Sequence, residues 1–439
     1  MKFEALQARY GDCLLLTFLK DGKPTRLLVD GGPGTVFRNA IKPRLEKEAQ
    51  TPGQRPVRLD AIMVSHIDED HILGVLDLLE DTREDTSPPG PLCDIRWLFH
   101  NSFDSLLGEG EGGAARGLKA PTLLAGIGGA TDILDGVPEP KQESLLVLQS
   151  YGQGSKLATL AAAMKITRNP PDAATLMFDS KAPVVKSLGP AKMTVLGPLK
   201  SEIDDLQREW LKWKSKQTDR PALAAYLDKS VPNLSSLVVL IEQDGHSILL
   251  TGDARGDKVL KGLETAGKLK GDTPFKVDIL KLPHHGSSRN LAPDFFERIH
   301  ADHYVVSGDG TYGNPDRATL QMIENARPEG GYVVHMTYSA ADCDAQHENW
   351  ASTRKDKYDQ TEDNISEIIA RWKKGRHIEV REGPVSIDLP GDELPKPKSS
   401  NPTKKVKAST SGYHHPLGHA RPDPKFKFQP PNSTGRFRD

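Results

Sequence analysis

An apolar run, Ala61-Ile62-Met63-Val64, gives way to Ser65-His66-Ile67-Asp68-Glu69-Asp70-His71, and apolar residues then return at helical spacing in Ile72, Leu73, Leu76 and Leu79. This reads as a short strand, a polar loop and a helix. The loop sets four potential metal ligands within six residues. Packed together without a cation, such groups would repel or desolvate one another. Imidazole combined with carboxylate suits zinc, manganese or iron. Asp70 falls at the expected helix start, where the positive end of the helix dipole favours its ionised form. A solvated polar loop explains two such residues better than it explains this ordered set. The set also does not stand alone. Asp30 ends the apolar run RLLVD, Asp253 ends SILLTGD, and His284 and His285 follow VDILKL. Polar side chains placed repeatedly at strand ends are what a site on one edge of stacked sheets requires.

The surrounding chain agrees with that picture. ALQARYGDCLLLTFL and RLLVDGG flank the turn DGKP and read as a hairpin. DIRWLFHNS (94–102) reads as a strand and KLATLAAAMKI (156–166) as a helix. From 191 to 325, strands (MTVLGP, SSLVVLIE, HSILLTGD, VDILKL, ADHYVVSG) alternate with helices such as ATLQMIENA, which is the order of a layered α/β fold. Residues 103–140 are Gly-dense and aperiodic, so an inserted loop or helical lobe is expected within about 103–190. A polar helix over SEIDDLQREWLKWKSK carries Trp210 and Trp213 three apart, a spacing for core packing. SEIIARWKK and HIEVREGPVSIDL read as a last helix and a closing hairpin.

Charge and cysteine usage narrow the setting. Net charge is −2, so the chain as a whole signals neither nucleic acid nor membrane. The three cysteines, Cys13, Cys93 and Cys343, are far apart, which predicts reduced thiols in a cytoplasmic protein. No secretory apolar region opens the sequence, and runs such as SLVVLI are far too short for a bilayer. Residues 391–439 differ from the rest: they hold ten Lys/Arg against four Asp/Glu, with eight prolines, and cannot bury enough apolar surface to fold alone. One folded domain over 1–390 with a disordered tail over 391–439 is expected. Such a tail either holds nucleic-acid phosphates in a salt-dependent way or only keeps the protein soluble. A protein partner is a further reading, and oligomeric state is not legible.

The stretches Gly11-Asp12, LLVDGGPG, SHIDEDHILG, NLSSLVVLIEQDGHSILLTGDA, LKLPHHGSS and VVSGDGTYGNP run in order from residue 11 to about 320. In them the sequence resembles the metallo-β-lactamase superfamily, and within it the hydrolase domain of the ComEC competence proteins and their soluble stand-alone relatives. The resemblance implies a four-layer αββα sandwich binding one or two divalent ions, zinc or manganese. It implies that His66 and Asp68 hold a first metal, that Asp70, His71 and His284 hold a second, and that Asp253 bridges them. Asp30 and Asp12 would lie behind the ligands and keep their loop in place. Asp70 is the ligand on which hydrolysis would most depend. His285 would either donate a proton to a leaving oxygen or serve only as structure. Ser287 and Ser288 would hydrogen-bond a phosphate or merely shape their loop. Two departures stand out. The superfamily usually supplies a further His near residues 232–236, where this chain has Pro-Asn-Leu-Ser-Ser. Relatives also often carry a His where this chain has Asn314 before Pro315. His100, at the end of its strand, is a candidate for the missing position, although a partly buried ordinary His is the plainer reading.

The activity so implied is attack of a metal-activated water on phosphorus or a carbonyl carbon, first as a phosphodiesterase or nuclease on DNA or RNA. A small-ester, lactone or phosphoester hydrolase with a narrow pocket is the alternative, and an effector subunit silent until a partner arrives is a third.

Overall fold

The computed structural model describes residues 1–102, 142–208 and 236–391, apart from 52, 86–89, 172–174, 181–182, 206, 355–356 and 376. The Gly-dense stretch 103–141, Trp210, Trp213 and the basic tail with His414, His415 and His419 lie outside the described residues.

Two mixed sheets form the centre. The first contains β1 (Lys2–Ala5), β2 (Leu14–Lys20), β3 (Lys23–Val29), β4 (Val57–Met63), β5 (Cys93–Phe99) and β6 (Thr167–Arg168), with β15 (Val385–Asp388) on its edge, in the order β15-β1-β2-β3-β4-β5-β6. The second contains β7 (Val185–Leu188), β8 (Ala191–Gly197), β9 (Val238–Gln243), β10 (His246–Leu250), β11 (Phe275–Lys281), β12 (Ile299–Val306), β13 (Val333–Met336) and β14 (Glu379–Glu382), in the order β14-β13-β12-β11-β10-β9-β8-β7.

Strand alternation decides which side chain enters which layer. Leu14, Leu16 and Phe18 of β2 meet Val239, Ile241 and Ile248 of the second sheet in one apolar cluster between the sheets. Leu15 of the same strand points the other way, into a cluster with Leu45, Val75, Leu79 and Leu157 from the helices Lys42–Ala49, Glu69–Glu84 and Gln142–Ala163. On the far side, Leu240, Leu249 and Leu280 pack with Val259, Phe295, Leu320 and Trp372 from the helices Gly256–Thr265, Pro293–Arg298, Arg317–Ala326 and Ser366–Gly375. The layers therefore run helix, sheet, sheet, helix, as expected.

The expected closing hairpin is not one. β14 pairs parallel with β13 (Val333↔Glu379), while β15 pairs antiparallel with β1 (Ala5↔Val385), so the two strands join different sheets. Gly383, at φ 109°, turns the chain between them. Val385 and Ile387 then fill the edge of the inter-sheet core, whereas β14 keeps its Glu and Arg side chains largely exposed. No helix among the described residues is long and apolar enough to cross a membrane.

Candidate metal centre

β3, β4 and β5 run parallel in the first sheet, as do β10, β11 and β12 in the second. Their C-terminal ends carry, in turn, Asp30, the 65–71 loop, His100, Asp253, the His284-His285 pair and Ser307. The topology thus gathers chemistry from six separate strand ends at one edge of the sandwich.

Asp253 sits at the centre of the group. Its Oδ2 faces His66 Nε2 and His284 Nε2, each at 3.6 Å, and His66 Nε2 lies 3.5 Å from Asp68 Oδ2. Its Oδ1 faces His71 Nε2 at 3.3 Å and His285 Nε2 at 3.8 Å. Asp70 Oδ2 closes that second group, 3.7 Å from His71 Nε2 and 3.2 Å from His285 Nε2. One carboxylate is thus shared by two trios, each of two imidazoles and an aspartate. Ligand atoms of Asp70, His71, Asp253 and His285 all lie within 4.8 Å of one another. The placement of the His pair differs from the sequence expectation. His285 stands beside Asp70 and His71, where His284 was expected, and His284 faces the His66 side. Both residues adopt left-handed backbone (φ 47° and 54°), which splays consecutive side chains toward the two oxygens of Asp253.

Buried carboxylates orient these imidazoles from behind. Asp30 accepts from Ser65 N (2.7 Å), Ser65 Oγ (2.7 Å) and His71 Nδ1 (2.9 Å), so the His71 Nε2 lone pair turns into the site. The Ser307 hydroxyl donates to Asp12 Oδ1 and lies 3.0 Å from His285 Nδ1. Asp12 also accepts an ion pair from Lys281 at 2.7 Å, with both side chains about 1% exposed. Glycines allow the close approach that all this needs. A Cβ on Gly31 would stand 2.3 Å from Val75 N, one on Gly74 2.0 Å from Gly31 O, and one on Gly11 2.0 Å from Asp70 O. The Gly31-Gly32 turn therefore packs against the ligand-bearing helix.

The donor set fits a divalent cation. Among the described residues, His66 Nε2, His71 Nε2, Asp253 Oδ1 and His284 Nδ1 are buried polar atoms without a hydrogen bond. Orphaned atoms of this kind cost on the order of 1–3 kcal/mol each in a protein interior; two of them, His66 Nε2 and His71 Nε2, face the shared carboxylate, and a third is its own Oδ1. Burial opposes charge on Asp253, yet His284, His71, His285 and His66 hold its carboxyl well below the usual carboxylate range. Burial also opposes charge on His285, but Asp12 and Asp253 raise its imidazole to about 9. Groups that drive protons onto imidazoles so strongly would accept a metal cation in place of those protons.

Other expected site residues sit at the rim. Ser287 is buried, with its N–H donating to His284 O. Ser288 donates from both N and Oγ to Asp316. Asn314 is half-buried, and its carbonyl accepts Gly310 N–H. His100 is fully buried, and its peptide group, not its ring, bonds the Asn169 side chain. Residues 231–235, the region of the family's further His, lie outside the described residues. Ser65, Lys281 and Ser307 had no assigned part in the sequence reading. Lys281 had a visible signal, because a lysine inside an apolar strand requires a buried counter-charge.

No family model matches the chain. It is 36% identical over 122 residues to mouse microtubule-associated protein 1A, covering 27% of this chain and 4% of that protein. It is 30% identical over 102 residues to ComE operon protein 3 of Bacillus subtilis strain 168, covering 22% of this chain and 12% of that protein. The chain thus spans a small part of the curated relatives it matches. Among solved structures it aligns with Zn(2+)-bound PqqB from Methylobacterium extorquens at 11% identity, TM-score 0.35, covering 89% of this chain and 100% of that one. A beta-lactamase domain protein from Burkholderia ambifaria aligns at 14% identity, TM-score 0.27, covering 83% of each. At such distances the fold rests on this chain's own layers and site. In its helix-sheet-sheet-helix order, in the strand ends that carry its candidate ligands and in the donor set itself, the chain has the four-layer sandwich expected from its sequence, with a His/Asp cluster suited to divalent metal.

Proposed function

We propose that the protein is a metal-dependent phosphodiesterase acting on nucleic acid. The observation that carries this reading is the shared carboxylate: Asp253 faces His66 and His284 with one oxygen and His71 and His285 with the other, with Asp68 beside His66 and Asp70 beside His71 and His285. These residues would hold divalent metal, which would supply activation of water near neutral pH and neutralisation of charge on a phosphoryl group. The chain's own residues set the geometry for that chemistry. Asp30 fixes the His71 tautomer, and Ser307 and Asp12 fix the ring of His285. The His285 Nε2 edge is thereby turned toward Asp70 and Asp253, with the second group of ligands. The resemblance to competence-protein hydrolase domains and the basic tail favour a nucleic-acid substrate.

The test is turnover of bis(p-nitrophenyl) phosphate and of single- and double-stranded DNA and RNA, with zinc or manganese, beside a His66→Ala/Asp70→Ala control. Metal-dependent cleavage that the control loses supports the reading. Cleavage of a carboxylic ester or lactone with no phosphodiester activity moves the function to a small-molecule hydrolase.

A further inference from the structure

A line of aromatic rings runs from the ligand-bearing loop to the helix Ala340–Arg354 and beyond it to Tyr358. Tyr10 and Tyr312 meet edge to face, with centroids 5.0 Å apart and planes at 82°. Tyr312 meets Trp350 at 6.1 Å and 79°. Trp350 is followed by His347 at 6.0 Å, and His347 by Tyr358 at 5.0 Å. The Tyr10 end of the line lies beside the ligand-bearing loop: its hydroxyl is 3.5 Å from Glu69 Oε1, and Glu69 precedes Asp70 in the chain. The loop with Tyr10 also carries Asp12, and the loop with Tyr312 follows Ser307, the two residues behind His285.

Tyr312 is the most exposed large apolar side chain among the described residues, at 49%. A ring of this size normally gains by burial. Here the backbone holds it outward in a left-handed conformation (φ 67°), which is costly for a bulky residue. Its loop is anchored on the helix Ala340–Arg354 by close packing. A Cβ on Gly310 would stand 2.0 Å from Cys343 O, and one on Gly313 3.1 Å from His347 Nε2. The ring is therefore presented from a fixed base. Tyr10 also lines a cleft of about 600 Å³, with Arg9, Arg38, Glu69 and Asp77. Two guanidinium groups and two carboxylates balance there, so net charge does not set what this cleft selects.

We propose that Tyr312 and Tyr10, continued by Trp350, form a stacking site for the bases of a single-stranded nucleic acid whose backbone enters the metal centre. This deepens the phosphodiesterase reading and rests on it. Every base has a π-face, so such a site accepts many sequences but needs unpaired bases.

The test is binding, read without turnover. Fluorescence anisotropy in chelator, on the full chain, compares a labelled oligothymidylate with an abasic strand of equal length and charge. Any contribution of the basic tail cancels between the two strands. Wild-type protein is expected to prefer the strand with bases. Tyr312→Ala should lower affinity for that strand roughly five- to hundredfold, the loss of one base stack, and leave the abasic strand unchanged. Tyr312→Trp should keep the preference, which separates loss of the ring from damage to the loop. Equal binding of both strands by wild type, equal weakening of both by Tyr312→Ala, or tighter binding of duplex than of single strand would overturn the proposal. Hydrolysis of bis(p-nitrophenyl) phosphate by the metal-loaded wild type reports separately on the phosphodiesterase reading, so the two can fail independently.

Discussion

Replacing Asp30 by Asn tests whether the buried carboxylates set the metal centre. Asp30 is 1% exposed and its carboxylate only accepts hydrogen bonds: from Ser65 N and Oγ at 2.7 Å each, and from His71 Nδ1 at 2.9 Å. Asparagine keeps the shape but offers one acceptor oxygen and a donor NH2. If its oxygen keeps Ser65 N–H, its NH2 faces His71 Nδ1. That nitrogen must then accept, and the imidazole proton moves to Nε2, where it points at Asp253 Oδ1, 3.3 Å away. The lone pair that a metal needs is lost. If the amide flips instead, the Ser65 N–H at the ligand loop is left facing a donor.

Either arrangement forfeits one charge-assisted hydrogen bond, worth about 1.5–3 kcal/mol. Changes behind a metal ligand typically cost 10–100-fold in affinity, or about 1.4–2.7 kcal/mol. The two ranges coincide, so Asp30→Asn should weaken metal binding by one to two orders of magnitude. The assay is competition with a chromogenic chelator at fixed pH, with thermal unfolding of the metal-free protein in parallel. Wild-type affinity in a folded Asp30→Asn protein would refute the orientation argument. A drop in affinity that merely tracks unfolding would make Asp30 a folding residue only.

Three further perturbations follow from the same structure. Lys281→Met strands Asp12 as an uncompensated buried charge, and denaturant unfolding should show a loss of about 3–5 kcal/mol that Lys281→Met/Asp12→Asn largely recovers; a loss confined to a few tenths would show the pair to be idle. Gly74→Ala drives a methyl onto Gly31 O and should shift the start of the Glu69–Glu84 helix, costing about 1–3 kcal/mol and weakening metal binding, whereas unchanged unfolding would mean that the turn yields freely. Burial opposes charge on Glu4, but the two-pronged Arg44 contact at 3.1 and 2.8 Å, with Lys2, holds its carboxyl below the ordinary 4.5. A carboxyl lowered on folding adds stability above its unfolded value and loses it as pH falls through the folded one. Glu4→Gln should therefore flatten the acid limb of unfolding midpoint against pH below about 4.5, and identical acid limbs would contradict this.

Much of this site was legible in the sequence because ligands at strand ends leave a double mark. The apolar run is dictated by burial on both faces of a central strand, and the polar residue that ends it cannot continue into the core. Asp30, His66, Asp253 and the His pair all carry that mark. The opposing charges that bury Lys281 with Asp12 left a weaker one, since a single lysine in VDILKL does not name its partner 269 positions earlier. The closing strands misled for a related reason. Two short β segments around Glu382-Gly383-Pro384 satisfy hairpin chemistry locally, and only the open edges of both sheets decide that they part. Local propensity cannot report which edge lacks a strand.

The His284-His285 pair shows the same limit at the scale of one bond. Adjacent side chains on a strand or helix cannot reach both oxygens of one carboxylate, because alternation or rotation fixes where each points. Two consecutive left-handed residues remove that constraint, at on the order of 1–3 kcal/mol each. The fold holds them by bonds on both sides: His284 N–H to Gly252 O at 3.1 Å, and Ser287 N–H back to His284 O at 2.9 Å. Gly286, at φ 86°, extends the same turn against Pro315. Strain of this kind persists only where the surroundings over-determine it, and what it achieves is to give each oxygen of Asp253 its own second imidazole. The twin grouping around Asp253 is therefore a property of the turn after β11 as much as of the ligands, and the residue types alone do not encode it.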